Sequence, residues 1–410
     1  MKSNRFLISI IKISIIVLLF YIEWYEYVIS PMPIVIWVCT FAMFTAMLID
    51  SILYNVNLKR IFSFEVLCWA TIIPYAIFAG FFVVDDILLV LEPLMRYIGF
   101  FIVMISVIYV CIITKNTTFF LKLYFWIAVI DVLTILYTGG YNTRLINPQL
   151  VVGEGQNPNS LGLVLFLGIV YAINVQKNSL YNKIFMYCTL PVFTYYLFLI
   201  GSRKSFIAIV LFLMISNLKF SLKKNIKLIG VGIGLLLLIS SITIDWDKFI
   251  LFQRFSDFFG GEGNETRLFM YLEAKRFFLE NLVFGIGYDQ FRNQSATGLY
   301  SHSNYAEVFS CLGTIGAMLY FVPILLLAKK MYAFSHNVKT AREGRLYLGL
   351  FITMLFLGTG IIHIYELNSF IIYGIMIAAL ILAKKELTGS DFDANSRGFS
   401  QISKKTEGIN

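Results

Sequence analysis

The sequence predicts an all-α, polytopic membrane protein: a helical bundle of about twelve transmembrane helices, with one long outer loop that contains short helices. Of its 410 residues, 59% are hydrophobic and 14% are charged, whereas about a quarter of the residues in a soluble domain are charged. The apolar runs recur at roughly 20 residues, the length that a helix needs to cross the hydrocarbon core. Because the runs are continuous and backbone groups in lipid must pair internally, helices are expected rather than a β-barrel.

The predicted spans follow directly from these apolar runs. They lie at residues 6–23, 32–50, 63–83, 87–113, 118–138, 159–176, 183–200, 205–219, 226–244, 305–328, 346–364 and 367–383. We expect residues 1–385 to form the bundle, with the outer loop at 245–304 between spans nine and ten. The tail at 386–410 is polar and rich in Ser, Asp, Lys and Gly, so it is expected to be disordered.

The distribution of basic residues predicts the orientation. With a cytoplasmic N-terminus, one alternating set of connections and the tail hold 22 of the 33 Lys and Arg residues. The short connections on the opposite side carry mostly acids and few Lys or Arg residues, which agrees with the positive-inside bias. Both termini are therefore predicted to be cytoplasmic. The net charge of +9 is then mostly explained by the basic residues of the cytoplasmic connections. No nucleic-acid partner is therefore expected.

The long outer loop at 245–304 is the most informative connection, because a loop of this length in a compact bundle is usually functional. Its stretch 265–281 is predicted to be helical, with Glu273, Arg276 and Glu280 on one face. The following "FGIGYDQF" is expected to be a glycine-permitted turn. It does not follow a strand in a βαβ unit, so it is not expected to bind a nucleotide.

Some Lys and Arg residues lie on the predicted outer side, which the positive-inside bias disfavours. They are Arg144, Arg203, Lys204, Lys248, Arg254, Arg267, Lys275, Arg276 and Arg292. An anionic ligand at the membrane boundary, such as a lipid-linked diphosphate, would explain such bases, because guanidinium offers a fixed fork of donors to phosphate oxygens. The alternative for Arg203 is that it only snorkels to lipid phosphates. Both interpretations stay open.

Four blocks follow one another along the chain: "GEGQNPNSLG" at 153–162, "GSRKSFIAI" at 201–209, "ETRLFMYLEAKRFFLENLVFGIGYDQF" at 265–291 and "SHSNYAEVFSCLGTIGAMLYF" at 301–321. Together they resemble the signature blocks of the O-antigen ligase and Wzy-type polysaccharide polymerase superfamily. One position departs from the family pattern: Ser303 stands where the family usually has Asn.

The resemblance implies a membrane-embedded glycosyltransferase of the C type in the bacterial cytoplasmic membrane, acting at the outer leaflet. Its donor and acceptor would be undecaprenyl-diphosphate-linked oligosaccharide repeats, which it would polymerise into a surface polysaccharide by inverting transfer. No metal or other cofactor is expected. Besides membrane lipids, a chain-length regulator and a flippase are candidate partners. Two alternatives stay open: a ligase that transfers the glycan to lipid A core or another acceptor, and a lipid-linked oligosaccharide flippase.

Site residues can be assigned to this chemistry. We expect Arg203 and Arg267 to stabilise charge on the leaving diphosphate, and His302 either to act as a general base or to be structural. Two further bases are weaker candidates for the diphosphate: Arg144 and Lys204. Four residues are weak candidates for sugar contact, although Asn159 also suits a helix cap: Tyr288, Asn304, Tyr305 and Asn159.

Overall fold

A computed structural model describes residues 4–24, 33–56, 58–138, 158–175, 180–200, 203–217, 265–337 and 340–384. In these ranges the regular structure is helical, and no strand is present. The helices are α1 (Arg5–Trp24), α2 (Pro33–Leu53), α3 (Phe64–Val83), α4 (Leu88–Thr114), α5 (Thr118–Thr138), α6 (Pro158–Val175), α7 (Leu180–Ile200), α8 (Arg203–Asn217), α9 (Glu265–Glu280), α10 (Phe291–Gln294), α11 (Asn304–His336), α12 (Ala341–Leu357) and α13 (Leu367–Lys384). Two short 3-10 helices, Leu58–Arg60 and His363–Tyr365, complete the regular structure of these ranges.

The helices support a multi-pass membrane protein. By length and composition, six of them could cross a membrane: α2, α3, α4, α5, α11 and α13. All but one of the predicted spans overlap a helix; the exception, 226–244, lies outside the described residues, as do 245–264 and the tail at 386–410. The total of about twelve spans therefore stays a prediction.

Two predicted spans end well away from the ends of the observed helices. The helix over the span predicted at 305–328 continues to His336 as α11. The sequence predicted helix from 346 to 364, but α12 ends at Leu357. Gly358–Gly360 forms a turn, and His363–Tyr365 forms a 3-10 helix before α13 begins. The hydropathy of the sequence stays high past Leu357, so the end of the helix was not recognised. Gly358 and Gly360, two glycines separated by one residue, favour a turn there.

The centre of the bundle is built from α4, α6 and α13. All residues are buried at 103–111 of α4, at 161–170 of α6 and at 367–379 of α13. A helix that is apolar and buried on every side occupies the interior of a bundle. Around this centre, α3 packs against α4 and α11, and α8 packs against α12. Large apolar side chains of α2 and α3, such as Phe41 and Phe81, are exposed on the surface, as expected for helices that face lipid.

The long helix α11 is interrupted at Gly313, whose φ of 61° and ψ of −165° are not helical. The turn after α9 supplies partners at this break: Ile286 N–H donates to the Ser310 carbonyl at 2.9 Å, and Gly287 N–H donates to that of Cys311 at 3.0 Å. The glycine-rich turn that the sequence predicted is thus present, and it joins α9 to α11.

The helix α9 agrees with the prediction for 265–281. Of its three predicted charged residues, two form an exposed ion pair and one is buried. Arg276 and Glu280 form an exposed ion pair at 3.9 Å. Glu273 is buried and accepts hydrogen bonds from Ser295 Oγ at 2.7 Å and from Ala296 N–H at 3.1 Å. The carboxylate of Glu273 therefore holds the loop before α11 against α9.

Candidate active site

His302 lies in the segment that leads into α11, and local hydrogen bonds hold its backbone. Its φ of 54° is left-handed, which is uncommon for a non-glycine residue. On one side, Ser301 N–H donates to the Glu307 carboxylate at 3.0 Å. On the other side, Ser303 is the N-cap of α11 and accepts from Ala306 N–H. The half-buried imidazole is thus presented from an ordered turn.

Two of the predicted bases act electrostatically on His302. Burial lowers the pKa of His302 below its ordinary value, and the positive charges of Arg267 and Lys204 lower it further. Arg267 comes from the first turn of α9 and Lys204 from the first turn of α8. The structure thus brings together three of the predicted residues from three separate elements. With its pKa lowered, the imidazole is mostly neutral at pH 7.

The segment 358–366 carries the contacts that position these residues. Lys204 Nζ donates a hydrogen bond to the Thr359 carbonyl. Asn304 N–H donates to the Gly358 carbonyl at 2.8 Å, and Ile364 N–H donates to Asn304 Oδ1 at 3.2 Å. The turn that ends α12 therefore connects the start of α8 with the start of α11.

Asn304 and Tyr305 were predicted as weak sugar contacts, and the structure favours positioning roles for both. Asn304 is buried, and its Nδ2 donates to Tyr320 Oη at 3.2 Å. Tyr305 Oη donates to the Leu355 carbonyl at 2.7 Å, and its ring stacks on Phe321 at 5.7 Å between centroids. The polar atoms of both side chains are engaged with the protein itself.

His363 has a structural role, in contrast to His302. It is buried, its Nε2 donates to the Met354 carbonyl at 2.7 Å, and its Nδ1 accepts from Ser369 Oγ at 2.7 Å. Burial lowers the pKa of His363 to about 4. A neutral histidine with both ring nitrogens bonded inside the protein holds the 358–366 segment in place.

The other predicted site residues are only partly described. The backbone of Arg203 begins α8 immediately before Lys204, but its side chain lies outside the described part of the structure. The same is true of Asn159, in the first turn of α6. Arg144 lies wholly outside the described residues. Their proposed roles stay predictions.

The sequence analysis missed a cavity of about 270 Å³ between the start of α4 and the loop before α11. Tyr288, another predicted sugar contact, is buried and lines it beside Asp289. Asp289 has a left-handed φ of 61°, and burial raises its pKa to about 6. The only sequence signal was its place in the turn "FGIGYDQF". Among the residues that the structure describes, no group of three His, Cys, Asp or Glu side chains could hold a metal ion.

Comparison with known proteins bears on the same part of the chain. Residues 188–321 match the family model described as O-antigen ligase (Wzy_C). The matched region includes Lys204, Arg267, His302 and the break at Gly313. A search of curated proteins gives no match. For the segment that carries the candidate site, the resemblance to the O-antigen ligase and Wzy-type polymerase superfamily is thus confirmed.

Proposed function

We propose that this protein is a glycosyltransferase that polymerises undecaprenyl-diphosphate-linked oligosaccharide repeats into a surface polysaccharide. The observation that supports it most directly is the grouping of His302, Arg267 and Lys204 inside the segment that matches the family. One neutral imidazole beside two fixed cations suits a reaction in which a hydroxyl loses a proton while a diphosphate gains charge.

The chemistry can be written as one displacement at the anomeric carbon of the donor. An acceptor hydroxyl oxygen forms the new bond to that carbon, and the bond to the diphosphate oxygen breaks with its electron pair. The hydroxyl proton passes to His302, which is mostly neutral at pH 7. Arg203 and Arg267, with Lys204 and Arg144 as further donors, stabilise charge on the departing diphosphate in the transition state. The anomeric configuration inverts.

The proposal includes a topology. Residues 1–385 form the bundle with the catalytic outer loop at 245–304, and 386–410 form a cytoplasmic tail. Both termini lie in the cytoplasm of a bacterium, and His302 lies at the outer face of its cytoplasmic membrane, where lipid-linked repeats are presented. A flippase that delivers the repeats and a chain-length regulator are the partners that such a reaction would use.

A ligase is the second candidate, and the description of the matched family favours considering it. Its chemistry at the donor is the same, so the site residues keep their roles. Only the acceptor differs: the growing chain goes to lipid A core or another acceptor instead of a fresh repeat. We prefer the polymerase because each distinct polysaccharide needs its own polymerase, which makes polymerases the more numerous group.

The choice of acceptor in a transfer assay distinguishes the polymerase from the ligase. The purified protein in nanodiscs is given the undecaprenyl-diphosphate-linked repeat of its host and no other acceptor, and the products are separated by size. A ladder of repeat multiples is expected for a polymerase. Transfer only after a core glycolipid is added would establish the ligase. The absence of transfer in both cases, with active control enzymes, would contradict the proposal and favour a flippase.

Three substitutions test the site in the same assay: Arg203→Ala, Arg267→Ala and His302→Asn. Asparagine removes the base at 302 but tolerates the left-handed backbone. Each is expected to lower the transfer rate on the order of a hundredfold, as removal of a fixed transition-state donor does elsewhere. Arg276→Ala, an exposed position on the same helix as Arg267, should leave the rate unchanged. Rates like the wild type in all three variants would remove the proposed site.

A further inference from the structure

The cavity of about 270 Å³ that Tyr288 and Asp289 line has no role in the proposed displacement reaction. Its floor contains buried Tyr288 and Asp289, and its rim contains the exposed residues Arg96, Arg292 and Asn293. At about 270 Å³, its volume is near the lower end of the usual range for ligand pockets, about 300–1,000 Å³. A space of this size suits a single ring rather than a whole oligosaccharide.

The aromatic walls of the cavity are fixed by packing. The ring of Tyr288 meets Tyr97 edge to face at 6.0 Å and Tyr365 edge to face at 5.3 Å. Tyr97 Oη donates to the Trp69 carbonyl at 2.8 Å. Rings held in this way keep their positions without a ligand, so the cavity is formed in advance.

Asp289 is the polar residue on the floor of the cavity. The burial of its carboxylate costs folding free energy. Only 8% of its surface is exposed. Oδ2 lies 3.7 Å from Arg292 Nη2, whereas Oδ1 is buried with no hydrogen-bond partner in the described part of the chain. A buried acceptor without a donor is destabilising, and the left-handed backbone adds strain. Such a group at a cavity points to a ligand that supplies the missing donor.

The charges around the cavity indicate what kind of ligand this is. Two guanidinium groups, of Arg96 and Arg292, are balanced by two carboxylates, of Glu92 and Asp289. A site for a dianion would have an excess of positive charge, which this one does not have. Donors and acceptors placed around aromatic rings instead match a sugar, which offers hydroxyl groups at its edges and C–H groups on its faces.

The cavity lies next to His302 along the chain. Tyr300, two residues before His302, lines it, and the Arg292 guanidinium lies 5.0 Å from the centre of the Tyr300 ring. We infer that this cavity is a subsite for one sugar ring of the glycan, in which Asp289 Oδ1 accepts a hydrogen bond from a sugar hydroxyl. This inference rests on the proposed function, because it takes the substrate to be a glycan.

Protection of a cysteine at the rim tests the subsite without requiring turnover. In a background in which the five native cysteines are replaced, Asn293→Cys is labelled with a maleimide in nanodiscs. One probe is the free oligosaccharide repeat, released from the host's lipid-linked repeat, and the other is inorganic diphosphate. With the oligosaccharide at roughly ten times its dissociation constant, labelling should slow by about tenfold, because only the unoccupied fraction reacts.

The matched control is Ala296→Cys, an exposed position on the same loop that does not line the cavity; its labelling rate should not change. Protection of Asn293→Cys by diphosphate alone would assign the cavity to the lipid diphosphate and overturn the inference. The absence of protection by either probe would overturn it as well. Protection by the oligosaccharide in a protein that shows no transfer would support the subsite while contradicting the polymerase.

Asp289→Asn tests the hydrogen bond itself. Asparagine tolerates the left-handed backbone, so the loop should keep its shape. A bond to a charged acceptor is stronger than one to a neutral acceptor, so the oligosaccharide concentration that protects Asn293→Cys should rise roughly fivefold in this background. An unchanged protecting concentration would show that Asp289 does not contact the sugar, and would overturn its assigned role.

Discussion

Gly285 and Gly313 lie back to back across the break in α11. A Cβ atom at Gly285 would stand 2.5 Å from the Gly313 nitrogen, and a Cβ atom at Gly313 would stand 2.5 Å from the Gly285 nitrogen. Both have positive φ, of 70° and 61°. The third and fourth of the sequence blocks, at 265–291 and 301–321, therefore meet at one contact, which joins the turn after α9 to α11.

Gly313→Ala is expected to prevent correct folding. The new methyl group would collide with backbone atoms, which cannot move aside as a flexible side chain can, and the backbone conformation at Gly313 is one that essentially only glycine adopts. Gel filtration in detergent should show loss of the monodisperse peak. Gly298→Ala is the control, because Gly298 has a φ of 63° but no neighbour within 4 Å. It should cost only about 1–2 kcal/mol from its left-handed backbone. Equal behaviour of the two variants would contradict the contact.

Asp289→Asn is expected to raise stability at neutral pH. Burial raises the pKa of Asp289 from 3.8 to about 6, so the native protein holds this proton more tightly than the unfolded chain does. Stability therefore falls as pH rises from about 4 to 6, and the full cost, about 3 kcal/mol, is present above the folded-state pKa. The variant should thus have a higher thermal midpoint than the wild type at pH 7.5, and the gap should shrink towards pH 4.

The decisive measurement is how the difference in thermal midpoint between Asp289→Asn and the wild type changes with pH. Asp85→Asn, which removes an exposed carboxylate from the connection between α3 and α4, is the matched control. A gap of the same size at pH 4.5 and pH 7.5 would show that the Asp289 carboxylate carries no burial cost. A lower midpoint for Asp289→Asn at pH 7.5 would mean that its ion pair with Arg292 outweighs that cost.

Lys330→Met is expected to destabilise the C-terminal end of α11, the end far from His302. Lys330 Nζ lies 2.5 Å from Glu65 Oε1, and the Glu65 side chain is only 2% exposed. Removing one partner leaves a buried carboxylate without its countercharge, which costs about 3 kcal/mol. Thermal unfolding in detergent measures the loss. Lys329→Met removes the same charge from the adjacent exposed position, and it should leave the midpoint almost unchanged. Similar midpoints for both variants would contradict the importance of the pair.

Arg203→Lys separates phosphate recognition from snorkelling. A single ammonium group cannot reproduce two parallel hydrogen bonds to a diphosphate, so we expect the transfer rate to fall roughly tenfold or more. Initial rates at saturating donor measure this. Arg276→Lys, at an exposed position, should match the wild type. Full activity of Arg203→Lys would support the alternative that Arg203 only snorkels to lipid phosphates.

Several helices were predictable from the sequence almost residue by residue. The span predicted at 118–138 is observed as Thr118–Thr138, and the helix predicted at 265–281 is observed as Glu265–Glu280. In both cases the pattern of residues along the chain is enough to predict where the helix lies. The end of α12 at Leu357 could not be predicted in this way, because the segment after it is apolar for a different reason: it is buried around His363 and Asn304.

The sequence by itself determined the class of the protein, the position of most described helices and the four blocks that resemble the family, because hydropathy, span length and short motifs are local properties. Only the tertiary structure decided which residues meet and which are buried. It bonded Asn304 Oδ1 to Ile364 N–H, brought the charges of Lys204 and Arg267 close enough to act on His302, and placed Asp289 on the floor of a cavity. These outcomes depend on desolvation and on contacts between residues far apart in the chain, and no local pattern encodes either of them.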